Sequence, residues 1–113
     1  VVNIAEGNGY EIVRIEFDIV SNTPKDSYRV LSTNWTYRVG VFGDDRTEDM
    51  DIEIYQQQTD GSYIFIGKDS KVDPIAMYDF TPTKTCWYKF VVKCYKFKPG
   101  YSGAHYGLLI LHE

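Results

Sequence analysis

Five acidic residues fall within eight positions of the stretch GDDRTEDMDIE: Asp44, Asp45, Glu48, Asp49 and Asp51, with Glu53 two residues further on. Carboxylates gathered in this way suit two kinds of chemistry, acid–base work by a pair or coordination of a hard cation by several oxygens. A glycosidase sets two carboxylates across a scissile bond, but it needs a cleft between them and separated pKa values. One strand displays neither. An EF-hand is excluded because DMDIE lacks the loop glycine. A calcium site built from Asp44, Asp45, Glu48, Asp49 and Asp51 remains as one expectation, and a solvated acidic loop as the other.

The remaining chemistry-bearing residues are few. Cys86 and Cys94 sit eight positions apart in TCWYKFVVKCYKF. On one continuous strand they share a face about 26 Å apart, beyond disulfide reach, so both are expected as packed thiols. Two histidines, with no CxxC and no HxxxH, give zinc no ligand set, and no nucleophile elbow, P-loop or dinucleotide fingerprint occurs. Between Phe80 and His112 there is no Asp or Glu, while Lys84, Lys89, Lys93, Lys96 and Lys98 interleave with aromatic rings. This charge asymmetry fits cross-strand pairing with the acidic stretch. It also leaves Trp87, Tyr95 and Tyr101 as a candidate binding platform, since outward rings stack on sugars or pack against peptides.

The elements that carry these residues follow a period of two. EIVRIEFDIV, Glu11–Val20, sets Val13, Ile15, Phe17 and Ile19 against Arg14, Glu16 and Asp18 in the alternation of a half-buried strand. NWTYRVGVF and TCWYKFVVKCYKF alternate likewise, and shorter strands are expected at Tyr28–Leu31, Asp49–Tyr55, Ser62–Ile66, Ile75–Phe80 and His105–His112. In Asp49–Tyr55 the pleat sends Asp49, Asp51 and Glu53 to one, wet, face and Met50, Ile52 and Ile54 to the core. Turn signals stand between them, among them Asn22–Asp26, Asp60-Gly61, Val72–Pro74 and Lys98–Gly103. Eight or nine short strands with no helical period predict an all-β fold, an antiparallel two-sheet sandwich of jelly-roll type, as a single domain over residues 1–113.

Composition narrows function further. At 113 residues with 43% hydrophobic content, 16% aromatic residues and ten tyrosines, the chain can build its own core without disulfides. A net charge of −4 argues against general nucleic-acid binding, and no apolar run reaches membrane-spanning length. The chain opens on Val1 with no initiator Met and no positively charged leader, as expected either of a mature product or of a trimmed chain, with any targeting peptide removed.

The second half resembles the bacterial pre-peptidase C-terminal domain family. The family's acidic DxDLxLY strand and following D-G turn are similar to YRVGVFGDDRTEDMDIEIYQQQTDG, Tyr37–Gly61. Its F-x-P…Y-x-v-x-V passage resembles FTPTKTCWYKFVV, Phe80–Val92, and its closing strand resembles SGAHYGLLIL, Ser102–Leu111. The resemblance spans Ser27 to His112. It implies a non-catalytic accessory or binding module of secreted or other extracytoplasmic bacterial proteins, with a protein or polysaccharide ligand and, in some relatives, calcium near the acidic loop. By the same resemblance Asp49 and Asp51 take a structural duty where their strand begins, accepting hydrogen bonds from loop amides or holding an ion. The competing expectations are a small enzyme and a structural subunit of a larger assembly.

Overall fold

The computed structural model describes residues 11–69 and 75–112; the turn expected at Val72–Pro74 lies outside them. Eight strands follow one another: β1 Glu11–Val20, β2 Lys25–Leu31, β3 Tyr37–Gly43, β4 Thr47–Gln57, β5 Tyr63–Asp69, β6 Ile75–Phe80, β7 Cys86–Phe97 and β8 Ala104–His112. They form two antiparallel sheets, ordered β1-β8-β3-β6 and β2-β7-β4-β5. Each of β1 to β4 pairs with the strand equally far from the other end of the series: β1 with β8, β2 with β7, β3 with β6, β4 with β5. A long hairpin rolled up in this manner is a jelly roll.

The core lies between the sheets. Val39, Val41, Leu108 and Ile110 from the first sheet meet Leu31, Met50, Ile52, Ile54, Tyr88, Phe90 and Val92 from the second, all essentially without solvent contact. The buried amide of Gln56 donates to Tyr88 Oη at 2.9 Å and to Thr83 Oγ1 at 3.0 Å, and Tyr88 Oη donates to the Lys84 carbonyl at 2.8 Å. This network supplies the partners that polar groups need inside a core and ties the β6–β7 connection to β4. Gly61 and Gly100 adopt φ of 87° and 88°, the left-handed region that Gly enters freely, at two of the turns marked by the sequence. Cys86 and Cys94 are free thiols packed against the core.

β1 is the element that departs from its expected orientation. Alternation suggests Ile15, Phe17 and Ile19 for the core, yet Phe17 and Ile19 are 72% and 53% exposed. They pair with Gly107 and His105 on the outer side of β8, whereas Glu16 and Asp18 pair with the inward residues Leu108 and Tyr106. The acidic side of β1 therefore lines the open edge between the sheets, where it finds partners. Ser27 donates to Glu16 at 2.5 Å, Arg14 pairs with Glu16 at 2.8 Å, and Lys25 stands 3.9 Å from Asp18. Polar groups satisfied at this edge tolerate the inward position.

Candidate functional site

The outer face of the second sheet has two halves. In its aromatic half, β2 and β7 set Val30 opposite Trp87 and Tyr28 opposite Lys89, while β4 and β5 set Tyr55 opposite Phe65 and Gln57 opposite Tyr63. The same Lys89 lies opposite Tyr55 on its other side. Its ammonium sits 4.7 Å from the centre of the Tyr55 ring and 5.4 Å from that of Tyr63. Tyr28 and Tyr63, from the two edge strands, lean across β7 and β4 until their ring centres are 5.8 Å apart. Tyr55 and Phe65 meet edge to face at 5.7 Å. These rings fix one another at cation–π and aromatic-pair distances, so the surface is preformed. Burial pushes the Tyr63 hydroxyl up in pKa, and the 2.9 Å hydrogen bond that Tyr55 donates to the Glu53 carboxylate raises that of Tyr55. Both stay neutral donors at physiological pH.

Beside this cluster, at the β2 edge, Arg14, Tyr28, Arg29, Val30 and Trp87 line a shallow depression of about 280 Å³. Trp87 is 47% exposed there. Of the three aromatic residues proposed from the sequence as one platform, only Trp87 belongs to it. Tyr95 is 78% exposed but lies eight residues along β7, about 26 Å away. Tyr101 is exposed in the β7–β8 loop, its amide donating to the Lys98 carbonyl at 3.1 Å. Sequence reading missed Tyr28, Tyr55, Tyr63 and Phe65. The available signal was their shared parity with Trp87 once the β2-β7-β4-β5 order is known, and that order is not a local property of any segment.

The charged half of the same face holds the acidic residues. Glu53 is not simply exposed: Lys93 donates to its Oε2 at 3.0 Å. Glu48 pairs with Lys96 at 3.2 Å. The asymmetry between the acidic stretch and the Lys-rich strand is thus cross-strand pairing between β4 and β7. Asp44 serves as the hub of the β3–β4 turn, accepting the Arg46 amide at 2.9 Å, the His105 amide at 3.0 Å and the Arg46 guanidinium. That guanidinium hydrogen bond, the largest influence, holds its carboxyl well below the usual range. Loop-amide bonding, expected of Asp49 and Asp51, is the work of Asp44.

Asp49 and Asp51 form a different arrangement. Asp49 is only 4% exposed, not on a wet face, because irregular pairing on both sides of it turns the β4 backbone at this point. The Oδ1 atoms of Asp49 and Asp51 are both buried and accept no hydrogen bond among the described residues. Burial, then the Asp49 charge and hydrogen bond, then Asp69, push the Asp51 carboxyl up to about 6, against a smaller opposite pull from Lys68. The five residues expected to share a calcium ion are accordingly divided: Asp44 is held by Arg46, Asp45 is exposed in the β3–β4 turn, Glu48 is held by Lys96, and Asp49 and Asp51 face each other. Among the described residues no three acidic, His or Cys side chains gather into a metal-binding group.

Comparison with known proteins gives a fold and no family. No protein-family profile matches the chain. No curated protein matches it either. Among solved structures, PliG of Aeromonas hydrophila, a periplasmic lysozyme inhibitor of g-type lysozyme, superposes with a TM-score of 0.63 at 9% identity, covering 88% of this chain and 85% of its own. The Yersinia pseudotuberculosis-derived mitogen superposes at 0.56 with 9% identity, covering 86% of this chain and 84% of its own. At such identity the likeness is one of fold.

Proposed function

We propose that this domain is a non-catalytic binding module acting outside the cytoplasm, and that its ligand is a protein held by the aromatic half of the second sheet. The observation that carries the reading is the pairing of Tyr28 with Tyr63 and of Tyr55 with Phe65 about Lys89, with the half-exposed Trp87 beside them, on a face that an antiparallel sandwich ordinarily gives to water. Tyr and Trp with a cation are the residues that dominate protein interfaces, because they bring large area at small entropic cost. The hydroxyls and Arg29 at the margin supply the polar rim such interfaces use. The fold neighbours support the reading in kind, one being an inhibitor of an enzyme and the other a mitogen. An enzyme would set perturbed titratable groups in a concave site. Here the two strongly perturbed carboxyls, Asp44 held low by Arg46 and Asp51 raised by burial, both lie outside the depression lined by Arg14, Tyr28, Arg29, Val30 and Trp87.

A titration tests this. With Trp35 replaced by Phe, emission reports Trp87 alone. Purified g-type lysozyme, chosen because it is the partner of the PliG neighbour, and soluble peptidoglycan fragments are added separately. The reading expects a saturable change with protein that Tyr28→Ala removes. A change with the glycan and none with protein would turn the face into a sugar-binding platform.

A further inference from the structure

The outer face of the first sheet is apolar from edge to edge. Two rows cross all four strands: Phe17, Gly107, Phe42 and Ile75 in one, and Ile15, Leu109, Gly40 and Met77 in the next. No charged residue stands in either row. Phe17, Ile19, Ile75 and Met77 are 72%, 53%, 50% and 46% exposed. Together they leave on the order of 400 Å² of apolar surface open on the two edge strands, flanking the buried Leu109; that is the size of the largest apolar patch on a monomer, often a functional one. The glycines keep the face flat. A side chain at Gly107 would collide with the Phe42 ring, which lies over that position and levels it. Phe17, Phe42, Gly43, Asp44, His105, Tyr106 and Gly107 border a shallow depression of about 250 Å³ there.

We infer that this face pairs with the same face of a second copy, forming a two-fold dimer back to back, with the aromatic face of each second sheet turned outward. Two arguments select a second copy over another occupant. An isologous contact sets a face against a copy of itself, so any net charge on the face meets the same net charge, and a face without net charge pairs with its copy at no such cost. The residues beside the rows comply: Arg38 and Asp79 neutralise each other through bonds of 2.8 and 2.9 Å. The area argues likewise. Four strands about 4.8 Å apart and seven residues long give a footprint of about 450 Å² before surface relief, near the low end for a specific interface. A dimer of this size is reversible, with dissociation in the micromolar range. A two-fold axis parallel to the strands lays the β1 edge of one copy over the β6 edge of the other, so that Phe17 faces Met77 or Ile75 twice.

Sedimentation velocity from about 5 μM to 1 mM tests the inference, with far-UV circular dichroism and melting temperature confirming folding. The wild-type chain is expected to pass from monomer to dimer, with a dissociation constant that does not weaken between 50 and 500 mM NaCl, as an uncharged contact requires. Phe17→Lys and Met77→Glu, both on exposed positions, should each raise that constant at least tenfold. Mixing the two variants should recover a heterodimer, because each Lys then meets a Glu. A wild-type chain monomeric at 1 mM overturns the inference, and so does a dimer that Phe17→Lys leaves intact. Monomer that instead co-sediments with phosphatidylcholine–phosphatidylglycerol vesicles would identify the occupant as a lipid surface and also overturn it. Trp87→Ala should leave dimerisation unchanged, which separates this result from the fate of the binding face.

Discussion

Replacing Asp51 by Asn should stabilise the domain at neutral pH and flatten its pH dependence. In the folded chain the Asp51 carboxyl is raised from 3.8 to about 6, first by burial and then by Asp49. A raised carboxyl binds its proton more tightly folded than unfolded. The stability it contributes is therefore complete below pH ~4 and lost as pH rises through ~6. At about 1.4 kcal/mol per tenfold change in proton affinity, the full difference is about 3 kcal/mol. Asp51 is only partly buried, so solvent screening brings the expected effect to about 1–2 kcal/mol. The groups around it do not cancel it: Asp69 adds to the rise, Lys68 opposes it weakly, and Lys93 is engaged with Glu53. The substituted amide would carry no charge and would offer an N–H to the unpartnered Asp49 oxygen. Differential scanning calorimetry of both proteins at pH 5 and pH 7.5 measures this. The wild type should lose about 4–8 °C of melting temperature on going to pH 7.5. The variant should lose little and melt higher than the wild type at pH 7.5. A wild-type protein that gains stability from pH 5 to pH 7.5, or an Asp51→Asn variant equally weakened at both, would refute the reasoning.

At the acid end the sign reverses: Asp44 and Asp79 are held low by Arg46 and Arg38, and Glu53, against the upward push of its burial, by Lys93 and Tyr55. The stability they contribute is present above ~4 and should fall as pH drops below it, so equilibrium unfolding against pH should show a maximum near pH 5. Gly67→Ala should cost about 1–3 kcal/mol in urea unfolding, because a methyl group there meets the Tyr78 phenol packed in from the other sheet. Millimolar calcium at pH 7.5 should leave the melting temperature unchanged within about 1 °C, since Arg46 and Lys96 already occupy Asp44 and Glu48; a rise reversed by a chelator would place a cation between Asp49 and Asp51. Thiol titration in denaturant without reductant should find two free thiols per chain, Cys86 and Cys94.

The strands were legible because local alternation is a direct imprint of one-sided burial: Ile75–Phe80 and Glu11–Val20 have the bounds read from sequence, and the other six differ by a few residues at their ends. What alternation does not specify is which side of a strand is the inner one. In β1 the acidic side lies at the sheet edge because Lys25 and Ser27 of β2 await it there. In β4 the irregular pairing around Asp49 takes one carboxylate out of water, a backbone event that no residue in EDMDI announces. The candidate site was legible at Trp87 alone. Its other rings come from three further strands, brought together by pairing between segments distant in sequence.

The central claim, a protein ligand on the aromatic face, is tested most directly by site-specific photocross-linking in the cells that make the protein. A benzophenone side chain is placed at position 87, and separately at position 95 on the same strand. The account predicts a discrete protein adduct from position 87, abolished by Tyr28→Ala with Tyr63→Ala, and none from position 95. An adduct from position 95 with none from position 87, or one at position 87 that survives the loss of both tyrosines, would contradict it.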